Sequence, residues 1–184
     1  MKVKVGISNR HVHLTKEDYK ILFNKETLTL RNNLTQPEQF AACETVAIKT
    51  EKNIINNVRI IGPFRSYSQV EISKTDARTL GINPPIRDSG DLSDASNITI
   101  LGPCGQIRKK CCIIATRHIH ISKEEKEKYN LNDKVKIKIN SEKPTILEEV
   151  SLKVGENYNF ELHLDTDDAN AAFISQGQEV EIIF

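Results

Sequence analysis

Five histidines form the most distinctive chemical pattern in this sequence of 184 residues. Four of them make two His-x-His pairs, His11 with His13 and His118 with His120, and the fifth is His163. Alternate side chains of an extended strand point to the same face, so each pair can direct both imidazole rings at one point. Imidazole is a common ligand of zinc and other divalent transition metals. The pattern therefore favours metal binding over five unrelated structural histidines.

The two pairs lie within a repeated segment of the chain. Residues 8–17 return as residues 115–124, with the arginine, both histidines, the lysine and the glutamate unchanged. A repeated unit of strand, His-x-His and helix start predicts two related lobes.

A catalytic zinc typically keeps three protein ligands and one open position. Five histidines and one carboxylate would therefore serve two such sites.

Glu71 is the best candidate for that carboxylate, because it lies at a predicted junction between a strand and a helix, as His163 does. From spacing alone, a solvated strand edge explains Glu71 better than a metal ligand does. A metal-bound histidine usually needs a hydrogen-bond partner that orients its ring. Asp165 and Asp167 are the candidates near His163, although capping of the following helix also explains these acids.

Three arginines accompany the histidines. Arg10 and Arg117 each precede a His-x-His pair, and Arg65 follows the turn residues Gly62-Pro63. Arginine binds phosphate through a planar fork of N–H donors, so arginines beside open metal positions favour an anionic, phosphorylated substrate. Surface ion pairs are an equally good interpretation of Arg10 and Arg117.

Composition excludes several classes of partner. The chain has 26 Lys and Arg against 25 Asp and Glu, a net charge of +1, which argues against nucleic-acid binding. The sequence has no apolar run near 18 residues and no recognisable signal peptide, so no membrane partner is expected. The four cysteines lack metal-type spacing, and adjacent cysteines such as Cys111 and Cys112 rarely form the disulfides of a secreted protein, which predicts a reduced, cytoplasmic protein. Glycine-rich phosphate loops and a G-x-S-x-G nucleophile elbow are also missing from the sequence.

Short alternating segments predict that the protein is mainly β, with a few capping helices, as in barrels or sandwiches. The predicted strands are 2–7, 44–50, 54–61, 97–101, 111–115, 134–140, 158–164 and 179–184. Helix starts are predicted at residues 15–18 and 122–125, and helices over 73–80 and 166–175. The basic, cysteine-containing stretch 104–112 is interpreted as a solvated turn leading into a packed strand.

At these residues the chain resembles the PduL-type phosphotransacylases, the phosphate propanoyltransferase family. The resemblance rests on blocks that occur in order along nearly the whole chain: residues 8–14, 62–65, 69–73, 87–90, 115–120 and 163–171. It implies one phosphotransacylase unit over 1–184, made of two small β-barrel subdomains capped by short helices, with the active site between them. The central barrel would span about 30–105, and the second about 1–8 with 106–184.

The resemblance also implies a site with two zinc ions. Their ligands would be His11, His13, Glu71, His118, His120 and His163, which promotes Glu71 from a weak candidate to an expected ligand. The residue matching Arg65 would hold phosphate, and Ser8, Asn9, Arg10 and Arg117 are further substrate-binding candidates. A homodimer is implied as well. Members of the family often carry an N-terminal microcompartment-targeting extension, and none is evident before Met1, so a free cytoplasmic enzyme is expected.

The implied reaction transfers a short acyl group, acetyl or propanoyl, between coenzyme A and inorganic phosphate. Contact of the Lys and Arg side chains of residues 104–112 with coenzyme A phosphates is then the alternative to a solvated turn. A metal can polarise the thioester carbonyl while Arg65 orients phosphate, so direct transfer without a protein nucleophile is expected. A metal-dependent hydrolase is one alternative, because His-x-His at a strand end also occurs in amidohydrolases, which have a longer βα-repeating chain. A metal-binding module without catalysis is the other, and it would favour closed sites with four ligands.

Overall fold

The computed structural model describes residues 1–183, and these form mostly strands with four short helices. The strands are β1 (Lys2–Ser8), β2 (His11–His13), β3 (Leu30–Asn33), β4 (Phe40–Lys49), β5 (Ile54–Gly62), β6 (Gln69–Glu71), β7 (Ile86–Arg87), β8 (Ser96–Leu101), β9 (Gln106–Ala115), β10 (His118–Ile121), β11 (Lys134–Ile139), β12 (Thr145–Val154), β13 (Glu161–Asp165) and β14 (Glu179–Ile183). The helices are α1 (Lys16–Phe23), α2 (Lys74–Leu80), α3 (Lys123–Lys128) and α4 (Thr166–Ala171).

The helices begin where the sequence predicts. Thr15, Ser73 and Ser122 are N-caps whose hydroxyls accept a backbone N–H three residues on, and Ser73 and Ser122 complete capping boxes. The prediction that α4 runs to residue 175 is wrong, because the helix ends at Ala171 and the chain turns through Phe173 at a φ of 48°.

One long strand, β12, is absent from the predicted set. Its adjacent charged residues Glu148 and Glu149 break the alternation of apolar and polar side chains that marks a strand. Glu149 has a φ of 57°, and the pairing of β12 with β11 shifts register nearby. The irregularity thus accounts for the missing pattern.

The last predicted strand is confirmed over Glu179–Ile183, and Phe184 lies outside the described residues.

The first of two compact units comprises Met1–Asn9 and the chain from Thr116 onward. Its six strands close into a barrel in the order β1, β13, β10, β12, β11 and β14. Strand β11 shows how the interior is filled, because Val135, Ile137 and Ile139 are buried and the intervening lysines are exposed. Val5, Ile119 and other apolar side chains join them in one core.

The second unit comprises Arg10–Ala115 and contains another closed ring of six strands. Pairing runs from β4 through β5, β2, β6, β9 and β8 and returns to β4, with β3 added beside β4 and β7 beside β9. A mainly β fold with two barrels capped by short helices is therefore confirmed. The prediction that residues 104–112 form a solvated turn is wrong for most of the stretch, because β9 begins at Gln106 and the turn after β8 is confined to residues 102–105.

The two units divide the chain differently from the expected barrel limits. The central ring needs β2, which joins β5 to β6, and β9, which joins β6 to β8. Its unit therefore extends beyond 30–105 at both ends, and the other barrel resumes at Thr116 rather than at residue 106. Within residues 1–183, no helix has the length and apolar character needed to cross a membrane.

Each helix directly follows a strand that carries candidate ligands. Helices α1, α2, α3 and α4 come after β2, β6, β10 and β13, respectively. The candidate side chains therefore lie on short strands whose ends are anchored by capped helices. The interiors of the same strands supply core residues, since Val12 and Ile119, each between two histidines, are fully buried.

We predict that Ile119→Ala destabilises the protein by about 2–5 kcal/mol, because it removes a fully buried side chain from the barrel core. Ile146→Ala is the matched control: Ile146 lies in the same barrel but is 56% exposed, so its loss should cost less than about 1 kcal/mol. Urea unfolding of the metal-free proteins, followed by circular dichroism, measures both. Equal unfolding midpoints for the two variants would contradict the assignment of Ile119 to the core.

Candidate metal centres

The first group of possible metal ligands lies in the unit Arg10–Ala115 and consists of His11, His13 and Glu71. Strand β2 runs antiparallel to β6, and the register places His11 directly opposite Glu71. Glu71 Oε2 is 3.5 Å from His11 Nε2, and Glu71 Oε1 is 3.9 Å from His13 Nε2. One donor atom from each residue lies within 4.8 Å of the other two. The strand pairing thus gathers two imidazoles and a carboxylate at one point.

A hydrogen-bond network orients the Glu71 carboxylate. Gln69 Nε2 and Ser89 Oγ donate to Glu71 Oε1 at 2.5 and 2.9 Å. The Gln69 amide also donates to Ser89 Oγ and accepts the Gly90 N–H. Ser89 Oγ in turn accepts an N–H from Arg65 at 3.3 Å. Because Oε1 receives two donors, Oε2 is the oxygen best placed to bind a metal.

The histidines and the carboxylate also influence each other's charge. Burial by itself raises the pKa of Glu71, but His11, His13 and the Ser89 hydrogen bond outweigh it and hold this pKa well below the usual value. Burial, helped by the nearby His11 and Arg65, lowers the pKa of His13 well below the usual value. The group therefore presents an ionised carboxylate and, at His13, a neutral imidazole, which are the forms that bind metal.

A backbone contact selects the nitrogen that His13 offers. His13 Nδ1 lies 3.2 Å from the carbonyl oxygen of Ile61, so the proton belongs on Nδ1 and the lone pair on Nε2. This is the arrangement typical of a metal-binding histidine, whose other nitrogen donates to a fixed acceptor.

The second group, in the other unit, consists of His118, His120 and His163. Strand β10 runs antiparallel to β13, and the register places His118 opposite His163. His118 Nδ1 lies 2.8 Å from the carbonyl oxygen of Thr116, which leaves the lone pair of His118 on Nε2. The Nε2 atoms of His118 and His120 are 3.1 Å apart. One nitrogen from each of the three rings lies within 4.8 Å of the other two.

The residues that contact the second group differ from the expected ones. Asp165 is the N-cap of α4, whereas the carboxylate beside His163 is that of Glu161, at 2.8 Å from Nε2. Tyr158 packs its ring edge-on against His120 with 4.5 Å between centroids. Glu161 is two residues before His163 on the same strand, so their side chains share a face. This spacing is the sequence signal that could have identified it.

Both units build their groups by the same local plan. The His-x-His strand pairs in parallel with one neighbour, β5 or β12, and antiparallel with another, β6 or β13. The third candidate ligand lies opposite the first histidine, and a helix N-cap follows it two residues later, at Ser73 or Asp165. Sequence comparison reveals the repeat of Arg10–His13 as Arg117–His120. The equivalence of the Glu71 and His163 segments emerges only from the fold.

The arginines that precede the pairs belong to this plan as well. Arg10 Nε donates to Asp76 Oδ1 at 2.9 Å, and Arg117 donates through two nitrogens to Asp168 at 2.7 and 2.8 Å. Asp76 and Asp168 occupy equivalent positions, each three residues after a helix N-cap and five after the candidate ligand. Each arginine therefore ties its His-x-His strand to the helix that follows the third ligand.

The remaining predicted site residues lie near one group or the other. Arg65 belongs with the first group, since it contacts Ser89 and its charge acts on His13. Ser8 is the last residue of β1 and pairs with Asp165 of β13. Asn9, which follows Ser8, is exposed. The structure therefore brings the six predicted ligands together as two sets of three.

Comparisons with known proteins identify the family of this chain. The sequence model of the phosphate propanoyltransferase family matches residues 4–175. A phosphate propanoyltransferase from Thermotoga maritima is 46% identical over 97% of this chain and 88% of its own length. Others from Shewanella putrefaciens and Priestia megaterium are 42% and 46% identical over 97% and 95% of this chain and 86% and 82% of theirs. The chain therefore belongs to the phosphate propanoyltransferase family and is an acyltransferase.

Proposed function

We propose that this protein is a zinc-dependent phosphate acyltransferase. It converts a short acyl-CoA, acetyl- or propanoyl-CoA, and inorganic phosphate to an acyl phosphate and coenzyme A, and the reaction is reversible. The observation that carries the proposal is the gathering of all five histidines and Glu71 into two sets of three donors, in a member of an acyltransferase family.

The donor sets fit zinc. Nitrogen atoms about 2.0–2.1 Å from a tetrahedral zinc ion lie about 3.3 Å from each other. The separation of 3.1 Å between His118 Nε2 and His120 Nε2, and of 3.5 Å between His11 Nε2 and Glu71 Oε2, match this spacing. Three protein donors per ion are typical of catalytic zinc, which leaves one coordination position for substrate.

The proposed reaction exchanges one bond to the acyl carbon for another. A phosphate oxygen bonds to the thioester carbonyl carbon, the carbon–sulfur bond breaks, and coenzyme A leaves as a thiolate that takes up a proton from solvent. When bound, zinc would supply the Lewis acidity that stabilises negative charge developing during this exchange. The chain's own residues have to bind phosphate, orient it and balance its charge.

Arg65 is the residue that we assign to phosphate. Its guanidinium offers a planar fork of donors, and its position in the Ser89–Glu71 network brings positive charge to the first group. The ring of Tyr67 lies 5.9 Å from the guanidinium carbon and limits where the side chain can move. Ser8, Asn9, Arg10 and Arg117 are further candidates for substrate contacts, with Arg10 and Arg117 held in place by Asp76 and Asp168.

Direct transfer agrees with the state of the two buried cysteines. Cys111 and Cys112 are buried, and burial raises the pKa of the Cys111 thiol to about 12 and that of Cys112 further. A thiol with so high a pKa is a poor nucleophile at neutral pH. Detection of an acyl group covalently attached to the protein during turnover would contradict direct transfer.

We further propose that the enzyme is cytoplasmic and forms a homodimer. The described residues hold four free cysteines, two of them exposed, and a reducing compartment would keep such thiols intact. The dimer rests on family resemblance alone, and sedimentation equilibrium measures it.

Incubation of acetyl-CoA or propanoyl-CoA with the enzyme tests the proposed function. We expect release of free coenzyme A thiol that requires both phosphate and bound metal, so that a chelator abolishes it and added zinc restores it. Thiol release without phosphate would instead identify a metal-dependent hydrolase. No release with any short acyl-CoA would favour a binding module and contradict the proposal.

His120→Ala should lose zinc from the second group and nearly all activity while the fold survives, because the ring supplies one of three donors. His13→Ala is the matched variant in the first group and should lose the other ion. Elemental analysis gives the zinc content, and circular dichroism reports folding. Full zinc content and near-native rate in either variant would contradict the ligand assignment.

Arg65→Ala should lower kcat/KM for phosphate about 10- to 100-fold, the usual effect of losing a charge-assisted hydrogen bond. The zinc content should stay unchanged, because Arg65 is not a ligand. Arg78→Ala, which removes an exposed arginine of α2, serves as control and should leave the rate unaltered. Unchanged phosphate dependence in Arg65→Ala would show that another residue binds phosphate.

A further inference from the structure

We propose that Glu161 is a positioning residue of the second metal centre. Its carboxylate holds the His163 ring and supplies to this centre the negative charge that Glu71 gives to the first. The inference rests on the proposed metal sites and extends them to a residue outside both ligand sets.

The contact itself is short and buried. Glu161 Oε2 lies 2.8 Å from His163 Nε2, and the Glu161 side chain is only 8% exposed. A carboxylate in such a place is costly to bury unless it is paired with a hydrogen-bond donor or a cation. The imidazole of His163 is that donor, and a metal bound to the ring would add positive charge.

The hydrogen bond determines which ring nitrogen His163 can offer. An ionised carboxylate only accepts, so the proton of His163 lies on Nε2 and the lone pair on Nδ1. His118 has the opposite arrangement, because its Nδ1 donates to the Thr116 carbonyl. The structure thus assigns a definite tautomer to each of these two rings, and both are held by an acceptor outside the ligand set, as metal-binding histidines commonly are.

Glu161 acts through His163 rather than as a ligand. Among the described residues, the donors that lie within 4.8 Å of one another belong to His118, His120 and His163, and Glu161 is not among them. The register of β10 with β13 places Glu161 opposite His120.

Comparison of the two centres gives an independent argument. Gln69 is opposite His13 just as Glu161 is opposite His120, and each is two residues before the third ligand. In the first centre the ligand is a carboxylate and the residue beside it is an amide. In the second the ligand is an imidazole and the residue beside it is a carboxylate. Each centre therefore holds one carboxylate. It is the third ligand in the first centre and the residue beside the third ligand in the second.

A glycine on the neighbouring strand provides the room for this carboxylate. A Cβ on Gly6 of β1 would lie 2.9 Å from Glu161 Cδ and 3.2 Å from both of its oxygens. The obstacle is the end of a flexible side chain, so Gly6→Ala should displace the carboxylate without unfolding the barrel. Gly6→Ala therefore tests whether the position of the Glu161 carboxylate matters, because the carboxylate itself is retained.

Zinc affinity of the full chain, measured by competition with a chromophoric chelator, tests the role of Glu161. Glu161→Gln should weaken one of the two zinc sites about 10- to 100-fold, the usual effect of losing the partner of a metal-bound histidine, and leave the other unchanged. Gly6→Ala should weaken the same site. Glu181→Gln, an exposed position of β14 in the same barrel, is the control and should bind zinc normally.

Nitrogen-15 NMR of the metal-free protein above pH 8 provides a readout that general destabilisation would not move. We expect the His163 proton on Nε2 and the His118 proton on Nδ1, with the His163 preference reduced in Glu161→Gln. A His163 proton on Nδ1, or wild-type zinc affinity in both Glu161→Gln and Gly6→Ala, would overturn the role of Glu161 while leaving the proposed function intact. A wild-type chain that binds no zinc would overturn both.

Discussion

Each candidate centre depends on the antiparallel pairing of a short His-x-His strand with a second short strand. Directly opposite residues of such a pair have Cβ atoms about 4.5–5.5 Å apart, which suits two ligands of one ion. The pairing sets His11 against Glu71 and His118 against His163. The same alternation sends Val12 and Ile119 into the barrel cores, so a slip of one residue would exchange ligands for core side chains.

Polar groups around the first centre are matched to one another. Ser89 uses its one donor on Glu71 and accepts from Gln69 and Arg65, and the Gln69 amide has partners for its nitrogen and its oxygen. Such complete pairing lowers the cost of burying a carboxylate and restricts its orientation. The network therefore couples the proposed phosphate residue, Arg65, to the carboxylate of the first centre through a single hydroxyl.

The two units conserve geometry while they differ in chemistry. Their topology repeats down to the ion pairs of Arg10 with Asp76 and of Arg117 with Asp168, yet the third ligand is a carboxylate in one and an imidazole in the other. Strand pairing and helix capping fix the backbone position of each ligand but do not determine which side chain occupies it. The almost neutral net charge of the chain thus coexists with strong local charges suited to an anionic substrate.

The sequence by itself determined the His-x-His pairs, their repeat, the helix starts and the mainly β character, because these follow from local periodicity and capping. Spacing alone makes Glu71 a weak candidate, and only the family resemblance makes it an expected ligand. Tertiary structure decided the rest, since register between distant strands is not a local property. It set Glu71 opposite His11 and His163 opposite His118, placed β2 and β9 in the central barrel, and brought Ser89 to Glu71. These contacts join residues through strand pairing and loop closure, which no local spacing encodes.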